Sequence, residues 1–151
     1  MIKNKINKID LVILAGGRGS RISNYTKNNP KPLIKFSKKH FISYLIDYYA
    51  KYPFRKIYIL AGYKGYKIFK NYNNVLCNGI KIKCIVEKKK LGTGGALSQL
   101  KRVTKNNLIV MNGDSFIKCD LKDFFLNLKA FRSNYIIVTN NKNYKSNKKL
   151  S

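Results

Sequence analysis

Acidic side chains are the scarcest feature of this sequence, with 6 aspartates and glutamates against 32 lysines and arginines. The net charge of +26 raises the question of nucleic-acid binding, because a strongly basic domain is the usual electrostatic footprint of that class. The lysines are, however, spread along the whole chain among asparagines, isoleucines and tyrosines. We therefore expect non-specific attraction to polyanions at low salt, and no specific nucleic-acid recognition.

Cysteine and long apolar runs are also few, and tryptophan is absent. The cysteines Cys77, Cys84 and Cys119 form no C-x-x-C pair, which argues against a disulfide framework or a zinc site and favours a reducing, cytoplasmic compartment. No apolar run reaches the length of a signal sequence or of a membrane span. With 151 residues, 44% of them hydrophobic, the chain is long enough for one domain with a core.

The most informative stretch is a short apolar run, residues 11–14, that ends in a glycine cluster. The run is too short for a helix and apolar on both faces, which predicts a buried parallel strand. The three glycines within residues 16–19 allow backbone N–H groups to face an anion, and Arg18 and Arg21 add charge suited to phosphate oxygens. The stretch predicts a phosphate-binding loop, although it matches neither the Walker A nor the Rossmann fingerprint. The alternative is a tight turn with solvated arginines.

Helical and strand spacings alternate along the rest of the chain. Helices are expected at residues 41–51, 65–72, 92–103 and 121–131, the last capped by Asp120, and strands at residues 56–62, 80–86, 108–111 and 135–138. Pro30 and Pro32 predict an extended turn before a brief strand-like run at residues 33–36. The alternation predicts an α/β fold, a Rossmann-like three-layer α/β/α sandwich with a mostly parallel sheet. Residues 140–151 are almost entirely polar and are expected to form a disordered tail.

Candidate ligand-binding features fall at the carboxyl ends of these strands, where such sheets bind ligands. They are the glycine loop, the turn before Gly94, and Asp114 directly after the fourth strand. Asp114 is the best metal-ligand candidate, because Mg²⁺ is held by one or two carboxylates together with substrate phosphates. A turn-forming aspartate is the alternative. The remaining aspartates are expected at caps or on solvated faces: Asp10, Asp47, Asp120 and Asp123.

Four motifs occur in order along the chain. They are L-A-G-G-R-G-S-R-I at 14–22 with K-P-L at 31–33, G-Y-K-G at 62–65, Glu87 with L-G-T-G-G-A-L at 91–97, and N-G-D-S at 112–115. Together they resemble the nucleotidyltransferases that join a sugar 1-phosphate to an NTP. The L-G-T-G-G-A-L form is most similar to the branch that makes GDP-heptose or GDP-mannose-type sugars. The resemblance assigns residues 1–139 to the nucleotide-binding half of such a domain and leaves 140–151 as the tail.

The resemblance implies that a sugar-phosphate oxygen attacks the α-phosphorus of the NTP and that pyrophosphate leaves. It implies catalytic roles for Arg21, at the leaving phosphates, and Lys31, near the α-phosphate, with Mg²⁺ carried by Asp114. Glu87 would accept from the guanine edge, which favours GTP, while dTTP, UTP and CTP stay open. The nucleotide-binding set that it implies is Leu14, Ala15, Gly16, Gly17, Gly19, Ser20, Glu87, Gly92, Thr93, Gly94 and Asn112.

The sequence also departs from the family pattern. The family's second half carries an E-K motif that binds the sugar phosphate and a second metal-binding aspartate, and this chain has no acidic residue after Asp123. We therefore expect weak nucleotide binding and poor turnover. A truncated product, a site completed by a partner chain and a degenerate remnant all stay open, as does a homo-oligomer. The rival of another class is a non-catalytic protein, either a nucleotide-binding remnant or a basic RNA-associated module.

A smaller departure concerns the turn after the K-P-L strand. Family members usually carry a glycine there, while this chain has residues 37–40, Ser-Lys-Lys-His. A lysine fits in this turn if the turn avoids positive φ. His40, the only histidine, is expected to be a solvated turn residue.

Overall fold

The computed structural model describes residues 9–19, 28–89, 91–118, 120–122 and 124. Strands and helices alternate through these residues. The strands are β1 (Ile9–Ala15), β2 (Lys35–Phe36), β3 (Lys39–His40), β4 (Lys56–Ala61), β5 (Leu76–Cys77), β6 (Ile80–Val86) and β7 (Asn107–Asn112). The helices are α1 (Phe41–Tyr49), α2 (Gly65–Tyr72) and α3 (Gly92–Ser98), and two 3₁₀ turns lie at Lys31–Leu33 and Gln99–Arg102.

The main sheet has the strand order β5-β6-β4-β1-β7, with β1 at its centre. Strand β1 runs parallel to β4 on one side and to β7 on the other, so that Leu11 is opposite Ile57 and Ile109. Strand β6 is parallel to β4, and only the two-residue edge strand β5 is antiparallel among these pairs. The carboxyl ends of β1, β4, β6 and β7 therefore meet along one edge of the sheet.

Strand β1 supplies both faces of the core. Leu11, Ile13 and Ala15 pack with the buried side chains of α1 and α2, whereas Val12 packs on the opposite face with Ala96 of α3. Each of these strand side chains is almost completely buried, and burying one large aliphatic side chain contributes about 1.5–3 kcal/mol before the entropic cost. Helices thus cover both faces of a mostly parallel sheet, which confirms the predicted three-layer α/β/α fold.

Local structure differs from the expectation at two places. Residues 31–33 form a 3₁₀ turn, so the predicted extended turn is wrong there. The turn tolerates Pro32 because the first helical positions need no N–H donor, while the Leu33 N–H donates to the Pro30 carbonyl at 2.8 Å. The predicted strand at 33–36 shrinks to β2, which pairs with β3 in a short hairpin. The helix after Leu91 ends at Ser98 and gives way to 3₁₀ geometry before Val103.

Asp10 is the clearest correction to the sequence-based expectations. Its side chain is 0% exposed instead of lying at a cap or a solvated face. The carboxylate accepts from Thr104 Oγ1 at 2.6 Å, Asn106 Nδ2 at 3.1 Å and Arg55 Nε at 3.2 Å. A buried carboxylate is tolerated only when it is paired and hydrogen-bonded in this way. The network joins the amino-terminal end of β1 to the segments that lead into β4 and β7.

Of the predictions for the other polar side chains, those for Asp120 and Asp47 are confirmed and the one for His40 is not. Asp120 caps the next helix as expected, because its Oδ1 accepts from the Lys122 N–H at 2.8 Å. Asp47 pairs with Lys39 at 2.8 Å on the surface. His40 is not fully solvated: it is half-buried, and its Nδ1 lies 3.0 Å from the Tyr72 hydroxyl.

Several predictions lie outside the described residues. They are Ser20, Arg21, Cys119, Asp123, most of the helix at 121–131, the strand at 135–138 and the tail at 140–151. Within the described part of the chain, no helix is both long enough and apolar enough to cross a membrane.

Candidate active site

A cavity of about 540 Å³ opens at the carboxyl edge of the sheet. The ends of β1, β4 and β7, the residue after β6, the start of α3 and the 3₁₀ turn at 31–33 all contribute to its wall. The lining residues are Leu14, Ala15, Gly16, Gly17, Gly19, Lys31, Pro32, Leu60, Glu87, Gly92, Thr93, Ala96, Asn112 and Asp114. Its volume lies within the range of small-molecule sites.

Most of the predicted site residues lie together in this cavity. Gly94 is the described exception, since it belongs to α3 and does not line the wall, and Ser20 and Arg21 lie outside the described residues. Sequence reasoning missed the lining residues Pro32, Leu60 and Ala96. Pro32 belongs to the K-P-L motif and Ala96 to L-G-T-G-G-A-L, so the motifs contained both signals. Leu60 contributes only through the end of β4, and no sequence pattern separates it from the core. The binding roles themselves stay predictions.

Lys31 and Asp114 form an ion pair in the cavity wall. The Lys31 Nζ lies 2.8 Å from Asp114 Oδ2, and the side chains are 36% and 42% exposed. Ser115 Oγ donates to the other carboxylate oxygen at 3.1 Å. The hydrogen bond from Lys31 holds the pKa of Asp114 below its usual value, because both donors stabilise the ionised form.

Gly113 sets the position of Asp114. The Gly113 N–H donates to the Leu14 carbonyl at 2.8 Å, which extends the pairing of β7 with β1 by one residue. A Cβ at position 113 would come 2.8 Å from that carbonyl oxygen and 3.1 Å from the Ile13 side chain. Only glycine therefore allows the ends of β1 and β7 to stay this close. The next residue, Asp114, then lines the cavity.

Glu87 is held against the glycine loop. Glu87 follows β6, and its N–H donates at 2.8 Å to the carbonyl of Ala61, the last residue of β4. This bond places Glu87 beside the end of β4. The carboxylate lies beside Gly62, where an added Cβ would be 3.1 Å from Glu87 Oε2 and 2.8 Å from the Gly16 Cα and carbonyl oxygen. Glycine at position 62 thus lets three strand ends converge, and Glu87 becomes a half-buried acceptor in the cavity wall.

Positive groups flank the glycine loop on its outer side. The Tyr63 N–H donates to the Gly16 carbonyl at 3.3 Å, so the turn after β4 contacts the loop directly. The Arg18 guanidinium lies 5.9 Å from the centroid of the Tyr63 ring, and Lys64 Nζ lies 5.4 Å from the same centroid, both at cation–π distance. The loop therefore lies in a field that favours an anion.

The carboxylate of Asp114 suits a hard cation that phosphate oxygens also bind. No group of three or more His, Cys, Asp or Glu residues gathers within the described residues, which leaves no all-protein metal cage there. Mg²⁺ does not need one, since it retains waters and binds through one or two carboxylates plus substrate phosphates. Asp114 already has a cationic group at 2.8 Å, so its oxygen is accessible to positive charge.

A parallel α/β sheet with a glycine loop, a lysine and an aspartate around one cavity at its strand ends is the arrangement with which many α/β proteins bind phosphate-bearing ligands. Residues 11–149 match the family model described as nucleotidyl transferase, and the chain belongs to that family.

Two curated relatives and one solved structure support the assignment. The chain is 37% identical over 116 residues, 77% of this chain and 52% of the relative, to D-glycero-alpha-D-manno-heptose 1-phosphate guanylyltransferase of Campylobacter jejuni. The enzyme of the same name from Aneurinibacillus thermoaerophilus is 29% identical over 131 residues, 86% and 56% of the two chains. HddC from Yersinia pseudotuberculosis complexed with GMP-PN superposes with a TM-score of 0.68 at 32% identity, over 78% of this chain and 52% of that one. The chain thus spans about half the length of the relatives it matches.

Proposed function

We propose that this chain is the nucleotide-binding part, residues 1–139, of a sugar-1-phosphate guanylyltransferase. The observation that carries the proposal is that Lys31, Asp114 and the glycine loop line a single cavity. That arrangement offers backbone amides, one ammonium and one carboxylate to a triphosphate. The names of the relatives support the choice of a sugar 1-phosphate and of a guanylyl group.

Each group has a distinct part in the proposed reaction. The amides of Gly17 and Gly19 bind the β- and γ-phosphates with Arg21, and Lys31 approaches the α-phosphate on separating from Asp114. A phosphate oxygen of the sugar 1-phosphate attacks the α-phosphorus in line, a new P–O bond forms, and the bond to the β-phosphate oxygen breaks with release of pyrophosphate. Catalysis of this kind depends mainly on positioning and charge neutralisation.

Mg²⁺ is the proposed cofactor, held by Asp114 together with oxygens of the triphosphate. When bound, it would neutralise negative charge on the phosphate oxygens. Asp114 would hold the cation at a defined position, because Gly113 fixes the backbone before Asp114 against β1.

Glu87 is the proposed reader of the base. Guanine presents two donors side by side, N1–H and the 2-amino group, and a carboxylate offers two acceptors. Glu87 lies in the wall next to Gly16, and Gly92 and Thr93 line the same cavity where the base and ribose would approach the backbone. The proposed sugar is of the heptose or mannose type, by analogy with the relatives.

The experiment that tests the proposal is calorimetric titration of the purified chain with GTP and Mg²⁺, at a salt concentration that screens its net charge of +26. ATP, CTP, UTP and dTTP are titrated alongside, and ITP, which lacks the 2-amino group, serves as the matched probe of Glu87. We expect saturable binding that prefers GTP. We also expect a weaker affinity for ITP, by about tenfold for one hydrogen bond to a charged acceptor. That difference should vanish in Glu87→Ala.

The alternatives give different results. A preference for another base would retain the nucleotidyltransferase assignment and remove the role of Glu87. Binding without pyrophosphate release, when heptose or mannose 1-phosphate is added, would indicate a non-catalytic nucleotide-binding remnant. Binding to RNA that fades with salt, with no nucleotide binding, would favour a basic RNA-associated module.

A further inference from the structure

Lys67 makes a contact outside the cavity that bears on its phosphate side. Its Nζ donates to the Asn28 carbonyl at 2.6 Å and to the Asn29 side-chain oxygen at 3.1 Å. Both acceptors are exposed, while Lys67 itself is half-buried on α2. The contact joins α2 to a segment nearly forty residues earlier in the sequence.

Helix α2 is a firm base for this contact. Ile68, the residue after Lys67, is 0% exposed in the core below the sheet, and Tyr72 one turn later is also buried there. The Lys67 carbonyl accepts from Asn71 Nδ2 at 2.6 Å. The core therefore fixes the Lys67 backbone, and the hydrogen bond from the Lys67 ammonium holds Asn28 in place relative to it.

The segment held by Lys67 leads directly into a basic residue of the proposed site. Lys31 follows Asn29 by two residues, within the 3₁₀ turn that begins after buried Pro30. Lys67 thus fixes the point from which the chain enters the turn that carries Lys31.

We propose that Lys67 is a positioning residue of the nucleotide site, which acts through Asn28 and Asn29 to hold Lys31 toward the phosphates. The inference rests on the proposed function and adds to it a residue that does not touch the ligand. It affects the phosphate side alone, because Glu87, Gly92 and Thr93 on the base side are held by β4, β6 and α3.

The first test uses the ligand-free protein. Lys67→Met is compared with two other variants. Lys70→Met removes the same charge from an exposed position three residues later on the same helix. Lys67→Arg keeps a donor at position 67. Hydrogen exchange of the Leu33 and Ile34 amides, which donate to the Pro30 and Lys31 carbonyls in the turn that carries Lys31, is followed by NMR. We expect faster exchange of these two amides in Lys67→Met, because the turn loses its anchor, and wild-type exchange in the other two variants. Unchanged exchange in Lys67→Met would overturn the inference.

The second test measures affinity for GTP with Mg²⁺ and for guanosine, which has the base and no phosphate. Lys67→Met should weaken GTP binding by about tenfold, as for one lost charge-assisted contact, and leave guanosine binding unchanged. An equal loss in Lys70→Met would show a general charge effect, and an equal loss for guanosine would show general damage to the fold; either result contradicts the inference. If the wild-type chain bound no nucleotide, the proposed function would fail, while amide exchange in the turn would still decide whether Lys67 positions Lys31.

Discussion

Lys31 and Asp114 are separated by 83 residues in the sequence, and their side chains meet at 2.8 Å in the wall of the cavity. Exposed ion pairs of this kind contribute about 0–1 kcal/mol to stability, so a stabilising role does not account for the pair. In the proposed reaction, Lys31 contacts a phosphate and Asp114 contacts a divalent cation. Binding of a nucleotide with its cation would then have to break this ion pair.

Asp114→Asn should reduce nucleotide affinity in the presence of Mg²⁺ and leave most of the affinity measured in EDTA. The amide keeps the shape of the side chain and removes the negative charge that a cation requires. Asp47→Asn is the matched control, because Asp47 forms an ion pair with Lys39 of the same length, also on the surface. The measurement is calorimetry with and without Mg²⁺. An equal effect of the two substitutions would contradict a metal role for Asp114.

The Asp114 carboxyl should titrate below its usual range, and Lys31→Met should raise its pKa. Because the folded-state pKa is depressed, the associated stability is present above the unfolded value of about 3.9 and is lost as the pH falls through the folded pKa. The group is 42% exposed, so the stability term is below about 1 kcal/mol and NMR titration is the sensitive measurement. A pKa that does not respond to Lys31→Met would show that the two groups do not interact in solution.

Asp10→Ala should destabilise the fold by about 3 kcal/mol, since it removes a fully buried acceptor and leaves the half-buried donors of Thr104 and Asn106 and the Arg55 guanidinium without it. Asp47→Ala, at a surface ion pair, should cause a much smaller loss. Both are measured by urea unfolding. Because Asp10 lies at the opposite end of β1 from the cavity, the nucleotide affinity of the folded Asp10→Ala variant should stay at the wild-type value, and a marked fall would contradict this separation.

The sequence contained the fold in its local patterns. Residues 11–14 are apolar on both faces, and β1 is indeed buried between two helical layers. Placing Asp114 at a strand end sufficed to bring it to the glycine loop, because parallel strands share one carboxyl edge.

Contacts between distant segments were not accessible in the same way. Nothing near Asp10 in the sequence distinguishes a buried carboxylate from a cap, since its partners Arg55, Thr104 and Asn106 come from two other loops. The contact of Lys67 with Asn28 depends likewise on how α2 packs. The extended turn predicted at residues 31–33 is wrong because the fixed φ angle of proline suits early helical positions as well as extended ones, and the sequence does not distinguish the two.

Gly62→Ala should destabilise the fold by about 1–3 kcal/mol and weaken GTP binding. The new Cβ would be 2.8 Å from the Gly16 backbone and would push the glycine loop away from Glu87. Gly94→Ala is the control for stability, because nothing lies within 4 Å of its added Cβ and the residue is in α3, where alanine is favoured over glycine. Thermal and urea unfolding compare the two. A neutral Gly62→Ala would show that the loop and the turn after β4 separate easily.

Ser37→Gly should stabilise the fold by about 1 kcal/mol, because Ser37 adopts φ 55° in the β2–β3 turn and a side chain in this left-handed region is strained. From the sequence, a lysine fits this turn if the turn avoids positive φ; the structure has the positive φ at Ser37, and neither Lys38 nor Lys39 adopts one. Lys38→Gly is the matched control in the same turn. The φ of Lys38 is not positive, so glycine there only adds freedom to the unfolded chain and should destabilise. Urea unfolding of both variants tests the argument, and a loss of stability in Ser37→Gly comparable to that in Lys38→Gly would show that the turn stores no strain at Ser37.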